Sequence, residues 1–221
     1  MSADLSHVDA WLFDLDDTLY PAETGFMGLI RERITDFVQD LTGLDRAGAQ
    51  TVQRGWFDAH GAALPGLLAE HGVTPRVFLD AIHDVPLDLI PPDPGLDAAL
   101  ARLPGRKLVF TNGSASHAER VLDKIGVAHR FEAVFHIETA DLIPKPAPET
   151  FDKMVRAFAL ETPAVAYFED SERNLEPAAA LGMTTVLVGP HALASPADFV
   201  HHRTPRLVPF LQSARVKEPA L

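Results

Sequence analysis

Short apolar runs alternate with longer stretches of helical period along most of this chain. Residues 11–13, 108–110, 133–135, 165–168 and 185–188 are apolar or nearly so and show no period-2 alternation. Strands covered by helices on both faces of a parallel sheet read this way, because neither side of the strand meets water. Between these runs the apolar positions recur at i, i+3, i+4 and i+7. Ala118, Val121, Leu122 and Ile125 make one such stripe, stopped by Gly126, and Phe151, Met154, Val155 and Phe158 make another. Repeated strand–helix–strand units predict an α/β fold with a doubly wound parallel sheet.

One stretch breaks the alternation. From Pro21 onward only helical patterns occur, through Ile30, Ile34, Phe37, Val38 and Leu41, then around Trp56, Leu67 and Phe78. The stretch closes at the breaker cluster Ile90-Pro91-Pro92-Asp93-Pro94-Gly95. The expected organisation is an α/β core built from residues 1–20 and 91–212, a helical insertion at 21–90, and a flexible tail at 213–221.

Composition narrows the function. The 221 residues, 47% of them hydrophobic, suffice for one core with a modest insertion. With 19 basic and 31 acidic residues the net charge is −12, whereas nucleic acid and anionic lipid both call for clustered Lys and Arg. Neither partner is expected. The absence of cysteine excludes disulfides, thiolate metal sites and cysteine nucleophiles. Met1-Ser2-Ala3-Asp4 lacks the basic-then-apolar order of a signal segment and no apolar run approaches membrane-spanning length, so the expected location is the cytoplasm.

Candidate chemistry gathers at strand ends. The first strand runs into Asp14-Leu15-Asp16-Asp17-Thr18, and an extended backbone would point Asp14 and Asp16 the same way. Like charges brought together favour a bound cation, and an all-oxygen set suits a hard ion such as Mg²⁺. The second strand ends in Thr111-Asn112-Gly113-Ser114, whose hydroxyls and N–H groups can hold an anion. Lys145 lies between Pro144 and Pro146, and Glu169-Asp170 follows four apolar residues without any packing reason to be acidic. Taken singly, each has a plain structural reading: solvated aspartates, an Asn-Gly turn, a loop lysine. Ser171 and Asn174 read as helix N-caps, His117 as structural, and His201-His202 as exposed surface.

The order of these groups changes that balance. Asp14-Leu15-Asp16-Asp17-Thr18, Thr111, Lys145 and Glu169-Asp170 resemble, in sequence, the four motifs of the haloacid dehalogenase (HAD) superfamily, and the insertion resembles its small α-helical cap. Residues 13–21, Thr111-Asn112-Gly113 with His117-Ala118, and Lys145-Pro146-Ala147-Pro148-Glu149 are similar to the pyrimidine 5′-nucleotidase branch. Glu169 stands where that branch has aspartate, as it does in phosphoglucomutase-like members.

The resemblance implies a Rossmann-like core and hydrolysis of a small phosphomonoester. Asp14 is then the nucleophile and Asp16 the general acid and base. Thr111, Asn112 and Lys145 hold the phosphoryl group. Mg²⁺ is bound by Asp14, the Asp16 carbonyl and Asp170, with Glu169 as a further or water-mediated ligand. Pyrimidine nucleoside monophosphates are the expected substrates. The alternatives are a phosphatase or mutase acting on a sugar phosphate or phosphoglycolate, and a non-enzymatic phosphate-binding scaffold.

Overall fold

A computed structural model of the chain describes residues 2–217. The two-residue strand β1 (Asp4–Leu5) precedes β2 (Ala10–Phe13). Helices α1 (Phe26–Thr42), α2 (Arg46–His60), α3 (Leu64–His71) and α4 (Pro75–His83) follow with no strand between them, and α5 (Pro94–Ala101) leads back to the sheet. Strands and helices then alternate through β3 (Arg106–Phe110), α6 (Ala115–Ile125), β4 (Ala133–Phe135), α7 (Pro148–Phe158), β5 (Val165–Glu169), α8 (Glu172–Ala180) and β6 (Thr184–Val188). The described chain ends with β7 (His202–Thr204), α9 (Leu207–Ser213) and β8 (Arg215–Val216).

Six strands pair in parallel in the order β4-β3-β2-β5-β6-β7, which is the doubly wound α/β sheet that the apolar runs predict. Both faces are buried. On one, Trp11, Phe13, Val109, Ala166 and Phe168 join a single apolar cluster. On the other, Ala10, Leu12, Leu108, Phe110 and Tyr167 join a second. Phe13 and Phe168 stack across the β2–β5 pair at 4.7 Å between ring centroids. Because both sets are apolar, the alternation of faces leaves no polar mark in the sequence.

The chain enters the sheet at its centre and adds strands outward on each side, so β2 lies between β3 and β5. In such sheets the crevice beyond the carboxyl ends of the strands, at the point where the order reverses, is where ligands bind. Helices α1–α4 bury their own cluster of Val38, Trp56, Leu67 and Phe78. Arg120 of α6 donates to the His83 and Val85 carbonyls at 2.7 and 2.9 Å, tying the core to the end of that helical segment.

Two elements escape the sequence pattern. Strand β7, with the sequence His202-Arg203-Thr204, pairs among the described residues with β6 alone and carries no apolar run. Next to it, exposed His201 accepts at Nδ1 from the Thr185 N–H at 3.0 Å. The expected tail at 213–221 also begins too early. Ser213 closes α9, and Arg215–Val216 pairs in parallel with Asp4–Leu5, where Leu5 and Ala214 are buried in one apolar cluster and Val216 packs against it. Residues 218–221 lie outside the described residues. Among the described residues no helix is long and apolar enough to cross a membrane.

Candidate active site

Strand parity brings the buried charges together. Leu12 and Tyr167 face the same side of the sheet, and two residues further on each strand come Asp14 and Glu169. Lys145, from the loop between β4 and α7, reaches into that face. Its Nζ donates to Asp14 Oδ1 and Glu169 Oε2, each at 2.7 Å, and to the Phe110 carbonyl at 2.9 Å. The Tyr167 hydroxyl oxygen also lies 2.9 Å from Nζ, so three hydrogens are shared among four acceptors. The ammonium also lies 5.0 Å from the centroid of the Phe110 ring. Burial opposes its charge, but Asp14 and Glu169 more than offset this and hold its pKa above the usual lysine value.

The carboxylates of Asp14 and Asp16 have different partners. The Asp14 N–H still donates to Phe168 O at 2.8 Å, in line with the strand. Beyond it the chain coils: Leu19 N–H donates to Leu15 O, and Asp17 takes a left-handed φ of 58°. Asp16 therefore turns toward other partners, accepting at Oδ1 from the Tyr20 hydroxyl at 2.7 Å and from His117 Nε2 at 2.9 Å. Burial raises the Asp16 pKa, yet His117 and Tyr20 together bring it below the usual aspartate value. Both carboxylates line one cavity.

Asp14, Glu169 and Asp170 offer oxygens within 4.8 Å of one another. Three such groups cannot all ionise unaided. Burial and the Glu169 charge push the Asp14 carboxyl up against the pull of Lys145, and burial, Glu169 and Asp14 push Asp170 up to about 9. A divalent cation held by hard oxygens relieves that repulsion, so the donor set fits Mg²⁺. The three carboxylates are not equally open. Glu169 Oε2 accepts from Lys145 and from the Tyr167 hydroxyl, and its Oε1 accepts from Ser171 N–H and Asn174 Nδ2 at 3.2 and 3.0 Å. Protein donors fill all four of its lone-pair positions.

Thr111, at the end of β3, is buried, and its Oγ1 accepts from Gly113 N–H at 2.9 Å, which leaves the hydroxyl hydrogen free. The Asn112 side chain is already engaged: its Oδ1 accepts from the Lys145 N–H at 2.8 Å, and its Nδ2 donates to the Lys145 carbonyl at 3.2 Å. It fixes the lysine loop, and only its backbone is available to an anion. Gly61, just after α2, packs against that same loop: a Cβ there would lie 2.4 Å from the Lys145 carbonyl oxygen.

The cavity, of about 770 Å³, is walled by the strand ends on one side and by Arg31, Gln53, Arg54 and Phe57 of the helical segment on the other. Sequence reasoning missed Tyr20, Tyr167 and Asn174, and it placed His117 apart from the chemistry. Tyr167 carries the one usable signal, a hydroxyl inside an apolar strand two residues before Glu169. Asn174, read as an N-cap, instead orients Glu169.

A family model described as haloacid dehalogenase-like hydrolase matches residues 8–182. The chain belongs to this family. Phosphate metabolism protein 8 of Saccharomyces cerevisiae is 26% identical over 193 residues, which cover 80% of this chain and 60% of that protein. Fructose-1-phosphate phosphatase YqaB of Escherichia coli is 27% identical over 184 residues, 79% of this chain and 93% of that one. The HAD phosphatase from Thermococcus onnurineus has the same fold, with a TM-score of 0.62 at 17% identity over 95% of this chain and 100% of its own. The Rossmann-like HAD core and its place in the family, both implied by the four motifs, are thereby established for this hydrolase.

Proposed function

We propose that this HAD hydrolase is a Mg²⁺-dependent phosphatase that acts on pyrimidine nucleoside 5′-monophosphates through an aspartyl-phosphate formed on Asp14. The observation that carries the reading is the separation of the two aspartates: Asp14 is held by Lys145, while Asp16, in the same cavity, has its own donors. A dehalogenase expels a halide that needs no proton and has no use for the second carboxylate. An alkoxide leaving group does need one.

Asp14 attacks phosphorus in line, forming an O–P bond as the ester P–O bond breaks. Asp16 gives its proton to the departing ester oxygen, then takes one from the water that attacks the phosphoryl-aspartate and releases inorganic phosphate. The Thr111 hydroxyl and the Asn112 N–H hold the phosphoryl oxygens, and Lys145 balances charge on Asp14. Asp14, Asp170 and the Asp16 carbonyl would hold the metal, which when bound neutralises charge between the attacking carboxylate and the phosphate dianion. Glu169, its lone pairs filled, supplies negative charge beside that ion and anchors Lys145 and the start of α8.

The cavity is of the size that holds a nucleotide-scale ligand, and the net charge of −12 favours a small metabolite over nucleic acid or an anionic membrane. The cytoplasm remains the proposed place of action. A second reading is a sugar phosphate, favoured by the E. coli relative's name and its near-complete coverage.

Phosphate release with Mg²⁺ across UMP, CMP, AMP, fructose 1-phosphate and phosphoglycolate is the test. We expect UMP and CMP to lead. Sugar phosphate or phosphoglycolate far ahead of UMP would replace the substrate class and leave the phosphatase standing. A rearranged sugar phosphate with no phosphate release would mark a mutase, and turnover of none would overturn the reading.

A further inference from the structure

We infer that His117 is a positioning residue for Asp16: it holds the carboxylate by Oδ1, leaves Oδ2 as the oxygen that carries the proton, and ties that geometry to both ends of the cap. The inference rests on the phosphatase reading and adds which atom moves the proton and what keeps it in place.

Both donors to Asp16 go to one oxygen. His117 Nε2 and the Tyr20 hydroxyl each reach Oδ1, and among the described residues no protein donor reaches Oδ2. An oxygen that accepts two hydrogen bonds is the less basic of the pair, so the proton goes to the other. The carboxylate can only accept, which places a hydrogen on Nε2 of His117. Space is kept for Oδ2 as well. A Cβ at Gly113 would lie 3.7 Å from Oδ2 and 2.9 Å from His117 Cδ2, so a side chain there would press on the ring that orients the acid.

Two aromatic rings lie nearly parallel to the His117 ring. His117 is fully buried on α6. Phe26 lies nearly parallel to it, with centroids 6.0 Å apart, and His83 lies nearly parallel at 4.2 Å. Phe26 is the first residue of α1 and His83 the last of α4, the two points where the cap leaves and rejoins the core. His83 is itself pinned through Nδ1 to Ser114 Oγ at 3.0 Å, and the same Oγ accepts from the His117 N–H at 3.3 Å. Displacing either plate therefore shifts the ring that holds Asp16 without touching the nucleophile, whose partner is Lys145.

The test compares esters that differ in their need for a proton. Single-turnover phosphorylation is followed with UMP, an alkyl ester, and with p-nitrophenyl phosphate, whose leaving group departs as the anion. His117→Ala should slow the UMP step about 10- to 100-fold, the scale of misplacing a catalytic group by about an ångström, with KM little changed and a much smaller loss on the nitrophenyl ester. His117→Gln keeps an N–H at similar reach and should recover most of the UMP rate. Tyr20→Phe removes the other donor without opening a ring-sized gap, and should give the same ester-selective loss even if His117→Ala fails to fold. Equal losses on both esters, or a glutamine variant as slow as the alanine one, would overturn the role. An unmodified enzyme that releases phosphate from neither ester would instead remove the phosphatase reading beneath it.

Discussion

Lys145 Nζ lies 2.7 Å from Asp14 Oδ1, with 1% and 8% of the two side chains exposed. A pair so far from water is strong only while both members remain, because removing one leaves the other charge uncompensated. Lys145→Met keeps the volume and removes the charge, leaving Asp14 and Glu169 facing each other. Phosphatase activity should fall to background, with a stability loss of about 3–5 kcal/mol near neutral pH. Lowering the pH protonates the stranded Asp14, whose carboxyl burial already pushes up, so the loss measured by denaturant unfolding should shrink toward pH 5. A variant equally destabilised at pH 5 and pH 8 would show that packing, and not charge, is what the lysine supplies.

The acidic cluster predicts a proton linked to metal binding. Burial and the neighbouring Glu169 and Asp14 charges push Asp170 up to about 9, so the metal-free protein holds a proton there at neutral pH. An incoming cation must displace it. Activity should vanish with chelator and return with Mg²⁺. Titration calorimetry in buffers of different ionisation enthalpy should find a net release of protons on ion binding near pH 7. Apparent affinity should tighten by up to about tenfold per pH unit until pH approaches the Asp170 value. Full turnover after exhaustive chelation would exclude the metal-dependent scheme.

Much of the fold is legible in the sequence because parallel strands buried on both faces are the most apolar runs in a chain. The strand at Val165–Glu169 and the helix at Ala115–Ile125 come from such runs and from a 3.6-residue stripe. Strand β7 is not legible, since its residues His202-Arg203-Thr204 are polar and it is defined by its pairing with β6, whereas β4, at the other edge, keeps the apolar run Ala133-Val134-Phe135. The candidate site divides along a similar line. Asp14, Thr111 and Glu169 stand out because strand packing gives no reason for polar groups at those ends, and Lys145 because prolines flank it on both sides. Contacts at long range in sequence, such as His117 with Asp16 across 101 residues or Asn112 with the Lys145 backbone, exist only once the strands are ordered. The coil after Asp14 was also unreadable, because nothing before the fold told whether residues 14–17 stay extended.

His83 makes stability depend on pH. Burial and the adjacent His117 hold its pKa down to about 3, whereas an unfolded chain has it at the ordinary value of about 6.5. Between those values the unfolded state binds one more proton than the folded state. The contribution is complete above about pH 6.5 and is lost as pH falls toward 3, at no more than about 1.4 kcal/mol per pH unit. His83→Phe keeps an aromatic plate against His117 and has nothing to protonate. Its unfolding free energy should fall less steeply than that of the unmodified protein between pH 6.5 and 4.5. Identical slopes would mean that His83 is reached by water and titrates normally in the fold.

The two aspartates should fail differently. Asp14→Asn removes the attacking carboxylate and one metal ligand, so no phospho-enzyme can form and activity should drop to background in every assay. Asp16→Asn keeps Asp14, Asp170 and the backbone carbonyl at 16, so metal affinity should persist while proton transfer is lost. General acid–base assistance is worth about 10²–10⁴-fold, which sets the expected loss on UMP. A nitrophenyl ester leaves without a proton, so its phosphorylation step should be nearly spared. Steady-state rates would hide this difference, because Asp16 also activates water in the second half of the cycle, and single-turnover trapping of the phospho-enzyme is therefore the measurement. Asp16→Asn should accumulate phospho-enzyme from the nitrophenyl ester and little from UMP. Equal rates of phospho-enzyme formation from the two esters would take Asp16 out of the general-acid role. Substantial turnover in Asp14→Asn would end the covalent scheme altogether, since no other carboxylate in the cavity is paired with Lys145 and also left with an unoccupied oxygen.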